Sequence, residues 1–289
     1  METVSVIVPF YKNLVWLEQA LESVCLQTYS SVETIVVNDG GVEDASGVIN
    51  RFRSLHGMAL KYIVQDNGGP GLARNKGMEA AKGELIAFLD SDDIWLPEKL
   101  EKQVDKLKET GADWCISSYF YFKNDGSSRE IKVEPVEGRI YPLPLLAMHI
   151  ATPSVIVRTN LLKEYNLKFQ EDYRVGEDTL LWAAFSRVGR VCTVQEPLLR
   201  VRDHGSNAAK DVSNLLISRV QILESLEKEQ SFKEIPYAVI LAYKMCRFIY
   251  SRVNRSFFSH PLFVRIGYGM AWAIFHIYKK LYVKQFYGV

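Results

Sequence analysis

Glu84-Leu85-Ile86-Ala87-Phe88-Leu89-Asp90-Ser91-Asp92-Asp93 sets five apolar residues directly before three carboxylates. An apolar run of that length reads as a strand over residues 84–89, covered on both faces. Upstream, residues 4–8 form a β-branched run closed by Pro9, after which Leu14, Leu17, Leu21 and Val24 recur at helical spacing. Residues 33–37 form a second buried strand, ended by Asn38-Asp39-Gly40-Gly41. A helix is expected over 44–55, a strand over 60–64 and a helix over 72–81, the last introduced by Gly68-Gly69-Pro70-Gly71. Downstream, Pro97 opens a helix over 98–110, and residues 114–122 read as a fifth strand. This alternation predicts an α/β fold: a Rossmann-like, mostly parallel sheet covered by helices. Ligands of such sheets bind outside the carboxyl ends of the strands. Pro9-Phe10-Tyr11, Asn38-Asp39-Gly40 and Asp90-Ser91-Asp92-Asp93 all stand there.

The later chain is less regular. Residues 123–144 are polar and Pro-punctuated, a hairpin or a loop, and 152–158 read as a strand. Residues 177–188 read as a helix opened by Glu177-Asp178, and from about 212 the pattern is helical. A main domain over 1–210 and a helical region over 211–289 are expected. The net charge of +1 hides an asymmetry, because from Ile235 onward there are eight Lys/Arg and no Asp or Glu. An acidic body with a basic tail argues against nucleic-acid binding and points the tail at an anionic surface. Cys25, Cys115, Cys192 and Cys246 stand far apart, without zinc or redox spacing. Met1-Glu2-Thr3 lacks a basic n-region, so no signal peptide is expected. No stretch reaches the roughly 18 apolar residues of a membrane span.

An Asp-x-Asp step alone is more often a solvated turn than a metal site. After a buried strand it gains meaning, since crowded carboxylates repel unless a cation or hydrogen bonds hold them. Hard oxygen ligands suit Mg²⁺ or Mn²⁺, with diphosphate oxygens completing the shell.

The blocks 4–11, 27–29, 36–40, 67–75 and 81–95 occur in the order seen in family 2 glycosyltransferases, which the chain resembles closely over 3–105 and more loosely to 207. The resemblance implies the GT-A fold, an inverting transfer and a nucleotide-sugar donor, UDP being the commonest nucleotide in the family. It implies that Pro9, Phe10 and Tyr11 line the nucleotide pocket and that Asp39 accepts hydrogen bonds from base or ribose, although an Asx-type turn would use Asp39 equally well. Asn38 and Gly41 depart from the family's usual acid and serine. Arg74 and Asn75 lie in a helix whose glycine-rich start offers amides to an anion. Arg74 either reaches the donor or pairs with the acidic cluster. Asp92 is the leading metal ligand. Asp90, Ser91 and Asp93 stand beside it, their roles undivided. Asp178 is the expected general base, with Glu177 beside it, and His204 contacts metal or diphosphate within the segment 202–206.

Tyr243, Phe248, Tyr250, Phe257, Phe258, Trp272, Phe275 and Tyr278 interleave with basic residues in the tail. That is the composition of an interfacial membrane helix. Packing on the main domain or on a second copy in a homodimer is the competing reading. The expectation is a cytoplasmic enzyme, peripheral on the inner face of the membrane, building surface polysaccharide on a glycan or lipid-linked acceptor. A sugar nucleotidyltransferase is disfavoured, since Pro9-Phe10-Tyr11 is no phosphate loop. A catalytically inactive scaffold with the same fold remains the other alternative.

Overall fold

The computed structural model describes residues 1–146, 148, 150–173, 175–204, 212–228, 233–253 and 261–287. Strands and helices alternate as β1 (Val4–Phe10), α1 (Leu14–Cys25), β2 (Val32–Asp39), α2 (Ser46–His56), β3 (Leu60–Gln65), α3 (Pro70–Ala80) and β4 (Leu85–Phe88). The chain continues through β5 (Ile94–Trp95), α4 (Lys99–Thr110), β6 (Trp114–Phe122), β7 (Ser128–Ile131), β8 (Ile156–Arg158), α5 (Thr159–Glu164), α6 (Glu177–Val188) and β9 (Val191–Arg202). It then forms α7 (Val212–Lys228), α8 (Tyr237–Val253) and α9 (Pro261–Tyr287).

The sheet order is β3-β2-β1-β4-β8-β6-β9-β5, with β7 paired to β6. β3, β2, β1 and β4 are parallel neighbours, as their continuous apolar runs require. Because β2, β1 and β4 are adjacent, the three polar segments at their carboxyl ends meet on one rim. Beyond β4 the sheet is mixed: β8 is antiparallel to both β4 and β6, while β6 and β9 are parallel. β7 folds back on β6 as a hairpin within 123–144.

Two departures from the sequence reading matter for the site. Within 152–158 only Ile156–Arg158 is a strand, while Thr152–Ser154 forms a 3₁₀ turn, since Pro153 has no amide to give a ladder. β9 has no counterpart in the sequence reading, because Glu196-Pro197 interrupts its apolar run. A bulge absorbs the interruption, Val194 pairing with Ser117 and Pro197 with Ser118. β9 delivers Arg202 and His204 to the rim.

The main core packs Val6, Val8, Phe88, Trp114 and Phe185 between sheet and helices. A second cluster joins α7, α8 and α9 to Leu145, Leu146 and Ala183. Val283 of α9 belongs to the main core, and buried Lys279 donates to Glu134 Oε1 at 2.6 Å. The inner face of the helical region is thus seated on the α/β body, which corrects part of the membrane-facing set. Tyr243 and Phe275 are buried together at 4.7 Å between ring centroids, because an amphipathic helix must bury one face. Arg255, Phe257 and Phe258 lie outside the described residues, as do Gly205 and Ser206. Among the described residues no helix is long and apolar enough to cross a membrane.

Candidate active site

A cleft of about 400 Å³ opens at the rim where β1, β2 and β4 end. Pro9, Phe10, Tyr11, Asp39, Arg74, Asp90, Ser91 and Asp92 line it, together with Asn67, Gly69 and Pro70, which the sequence reading had not singled out. Their signal was the turn Gly68-Gly69-Pro70-Gly71, which the sequence marks as a helix start that offers amides to an anion. Tyr11 is half exposed at the cleft, whereas Phe10 is buried.

Asp39 is 5 % exposed and fully engaged. Its Oδ1 accepts from Gln65 Nε2 and Gly68 N, and its Oδ2 from Gly69 N, all at 2.8 Å. This carboxylate thus holds the two amides just ahead of the first residue of α3, Gly69 being 30 residues away from it in the chain. Asn38 explains its own departure from the family's acid. Its Oδ1 accepts from Gly41 N at 3.0 Å while its Nδ2 donates to the Glu43 carbonyl at 3.2 Å, which a carboxylate cannot do. Gly41 presses on the cleft wall, and a side-chain carbon there would lie 1.7 Å from the Tyr11 carbonyl oxygen.

Arg74 joins the two carboxylate sites. Its Nη2 donates to Asp90 Oδ1 at 2.7 Å and its Nη1 to Glu177 Oε1 at 3.1 Å. The guanidinium lies 5.3 Å from the Phe169 ring centroid, and Nε is buried without a partner among the described residues. Arg74 lines the cleft and pairs with acids on both sides of it. Glu177 is sealed behind it. Burial, and then the Asp178 charge, push the Glu177 carboxyl up to about 7 against the pull of Arg74. Asn75 does not reach the cleft. Its amide exchanges hydrogen bonds with the Phe169 backbone, donating to O and accepting from N at 2.9 Å each. It fastens the loop before α6 to α3.

Asp92 and Asp93 diverge. Asp92 Oδ2 lies 2.9 Å from His204 Nε2, itself held 5.1 Å from the Trp16 ring centroid. Burial and then Asp90 push the Asp92 carboxyl up, against the His204 bond. Asp93, 3 % exposed, points into the protein and accepts from Arg202 N at 2.8 Å. Burial raises its carboxyl well above the usual range. Asp93 thus anchors β9 through Arg202 and is not among the residues lining the cleft. Among the described residues no set of three His, Cys, Asp or Glu side chains converges for a metal. Asp92 Oδ2 and His204 Nε2 lie against each other beside the cleft, an oxygen and a nitrogen of the kinds that Mn²⁺ accepts when phosphate oxygens fill the remaining positions.

Asp178 opens α6 beside Glu177. Its Oδ1 accepts from Thr179 N at 2.6 Å, and its Oδ2 accepts from Thr152 Oγ1 at 3.4 Å, leaving lone pairs free on the partly exposed side. Gly176 makes this entry possible. At φ +84, with Ser218 Oγ 2.2 Å from where a side chain would start, only glycine fits.

A family model described as glycosyl transferase family 2 matches residues 5–164. A glycosyltransferase of Rickettsia bellii is 36 % identical over 205 residues, covering 71 % of this chain and 29 % of the relative. Another, from Rickettsia felis, is 29 % identical over 267 residues, covering 89 % of this chain and 44 % of its own. The chain spans less than half the length of these relatives. Among solved structures, residues 1–349 of S. aureus TarS in complex with UDP-GlcNAc superpose with a TM-score of 0.66 at 22 % identity, over 94 % of this chain and 80 % of that fragment. Mannosyltransferase PcManGT from Pyrobaculum calidifontis, in complex with GDP-Man and Mn²⁺, gives 0.58 at 14 % identity, over 99 % of this chain and 88 % of its own. The architecture is that of the GT-A glycosyltransferases.

Proposed function

Because the chain belongs to glycosyl transferase family 2, we propose that it moves a sugar from a UDP-sugar to a hydroxyl of a glycan or lipid-linked acceptor, with inversion. The observation that supports this most is the Arg74 bridge, which ties Asp90 of the aspartate-lined cleft to Glu177 at the helix start beside Asp178. In this reading the donor lies in the cleft, its base or ribose against Tyr11. Asp92 and His204 would hold Mn²⁺ or Mg²⁺, which when bound neutralises charge on the departing diphosphate. Asp178, across from that leaving group, takes the proton of the acceptor hydroxyl as it attacks. Thr152 and Thr179 orient the carboxylate, and Arg74 holds Glu177 and Asp90 apart from each other's charge.

UDP is favoured by the TarS complex. A surface-polysaccharide role accords with a 28 % identical Bacillus subtilis protein, TuaG, whose name assigns it to teichuronic acid biosynthesis. The exposed outer face of α8 and α9 supports peripheral docking on the inner face of the membrane. Tyr237, Leu241 and Phe248 form one stripe and Met270, Ile277 and Leu281 another, the latter flanked by exposed Lys280 and Lys284.

Hydrolysis of a panel of nucleotide-sugars, with Mn²⁺, with Mg²⁺ and with EDTA, tests donor and metal together. Asp178→Asn is expected to abolish transfer while UDP-sugar still binds. Loss of donor binding in that variant refutes the base assignment, and silence across the panel refutes the enzyme.

A further inference from the structure

Arg219 of α7 is a cation that the site described so far does not use. Its guanidinium lies 4.9 Å from the Phe275 ring centroid and 5.8 Å from that of Tyr243. Among the described residues its hydrogen bond is a long one, Nη1 donating to Tyr243 Oη at 3.4 Å. Tyr243 Oη in turn donates to the Leu145 carbonyl at 2.7 Å, which fixes the ring. No carboxylate pairs with Arg219 among the described residues, although a guanidinium carries five donors and a permanent charge. A cation withdrawn from water without an anion is costly, and aromatic faces recover only part of that cost. Arg219 is only partly buried, so part of the residue reaches solvent.

Its position relative to the catalytic helix is set by the preceding residue. Ser218 packs directly on Gly176, the residue before Glu177-Asp178. α7 therefore meets the entry to α6 at Ser218, and Arg219 is the next residue along α7. We propose that Arg219 is an anion subsite that recognises a phosphate group carried by the acceptor. This rests on reading Asp178 as the base that faces the acceptor. A planar guanidinium backed by fixed rings presents its donors as a fork suited to two phosphate oxygens. The aromatic walls accept whatever apolar or sugar segment joins the phosphate to the attacking hydroxyl.

The test uses the full chain saturated with UDP and Mg²⁺, so that phosphates cannot report on the donor cleft. UDP affinity is measured first on each protein. Glycerol 3-phosphate, geranyl diphosphate and phosphatidylglycerol vesicles are then titrated separately by calorimetry. Binding of glycerol 3-phosphate or geranyl diphosphate is expected, weakened about tenfold or more in Arg219→Gln, the loss that goes with a charge-assisted bond. Arg219→Lys, which keeps the charge without the fork, is expected to fall between and serves if the Gln variant melts early. Equal binding by wild type and variants, or none by wild type, overturns the proposal. Binding confined to the vesicles also overturns it, giving the anion to the membrane and not the acceptor. A protein that fails to bind UDP at all refutes the donor reading instead.

Discussion

Lys99→Met should reveal a proton that folding expels. Lys99 is the first residue of α4 and is fully buried, its Nζ donating to Gln103 Oε1 at 2.7 Å and lying 4.1 Å from the Trp95 ring centroid. No carboxylate neutralises it among the described residues, and burial pushes its ammonium down from 10.5 to about 7. Between those values the unfolded chain holds a proton that the folded one has lost, so this residue's contribution to stability rises with pH. At roughly 1.4 kcal/mol per decade, the penalty is about 4 kcal/mol at pH 7 and about 2 kcal/mol at pH 9. Methionine fills the same space without a charge but orphans Gln103 Oε1, at about 1–3 kcal/mol. The variant is therefore expected to be more stable than wild type at pH 7, by about 1–3 kcal/mol, and close to it at pH 9. Urea unfolding followed by tryptophan fluorescence at pH 7, 8 and 9 measures the difference directly, and groups common to both proteins cancel. The informative quantity is the loss of roughly 2 kcal/mol of advantage between pH 7 and 9. Parallel pH profiles for the two proteins would show that Lys99 keeps its proton in the fold, and the reasoning from burial would fail.

Glu177 carries the opposite sign, being an acid whose folded pKa lies above its unfolded value. Its carboxyl, raised from 4.5 to about 7, favours the fold in its protonated form and loses that advantage as pH rises between those values. Against Glu177→Gln, wild-type stability measured by urea titration should fall by on the order of 3 kcal/mol from pH 4.5 to 7.5. A flat difference would mean that Arg74 holds Glu177 ionised throughout. Gly41→Ser should drive the Tyr11 backbone out of the cleft wall, since its side chain would start 1.7 Å from the Tyr11 carbonyl. A several-fold rise in KM for the donor with stability down by about 1–3 kcal/mol is expected, and unchanged KM would show that Tyr11 does not seat the nucleotide. In flotation with phosphatidylglycerol liposomes, the triple change Leu241→Glu, Ile277→Glu and Leu281→Glu should release the full chain. Equal flotation by both proteins would remove the exposed face of α8 and α9 as the membrane contact.

The first half of the fold was legible because its signals are local. The apolar runs of β1, β2 and β4 end in Pro9, Asn38-Asp39 and Asp90, and the rule that ligands gather past strand ends placed those groups together before any contact was known. β9 was not legible. Its bulge at Gln195-Glu196 breaks the apolar run, and the strand is held by its pairing to β6 rather than by a pattern of its own. The helical region was legible as helices, but which of its aromatics face inward depends on what they pack against. Tyr243 went to the core and Phe248 to solvent although both stand in the same basic-aromatic pattern.

The sequence by itself determined the α/β alternation, the parallel start of the sheet and the set of acids at its rim, because strand and helix periodicity and turn chemistry are written in neighbouring residues. Tertiary structure alone decided what each acid does. Asp39 holds the Gly69 amide ahead of α3 across 30 residues, Arg74 ties the cleft to Glu177 across 103, and Asp93 holds Arg202 across 109. The choice between Asp92 and Asp93 for the cleft is the clearest instance. They are adjacent and chemically identical, so spacing cannot separate them. What separates them is burial: one carboxylate meets His204 at the cleft edge, and the other is enclosed where only a backbone amide can satisfy it.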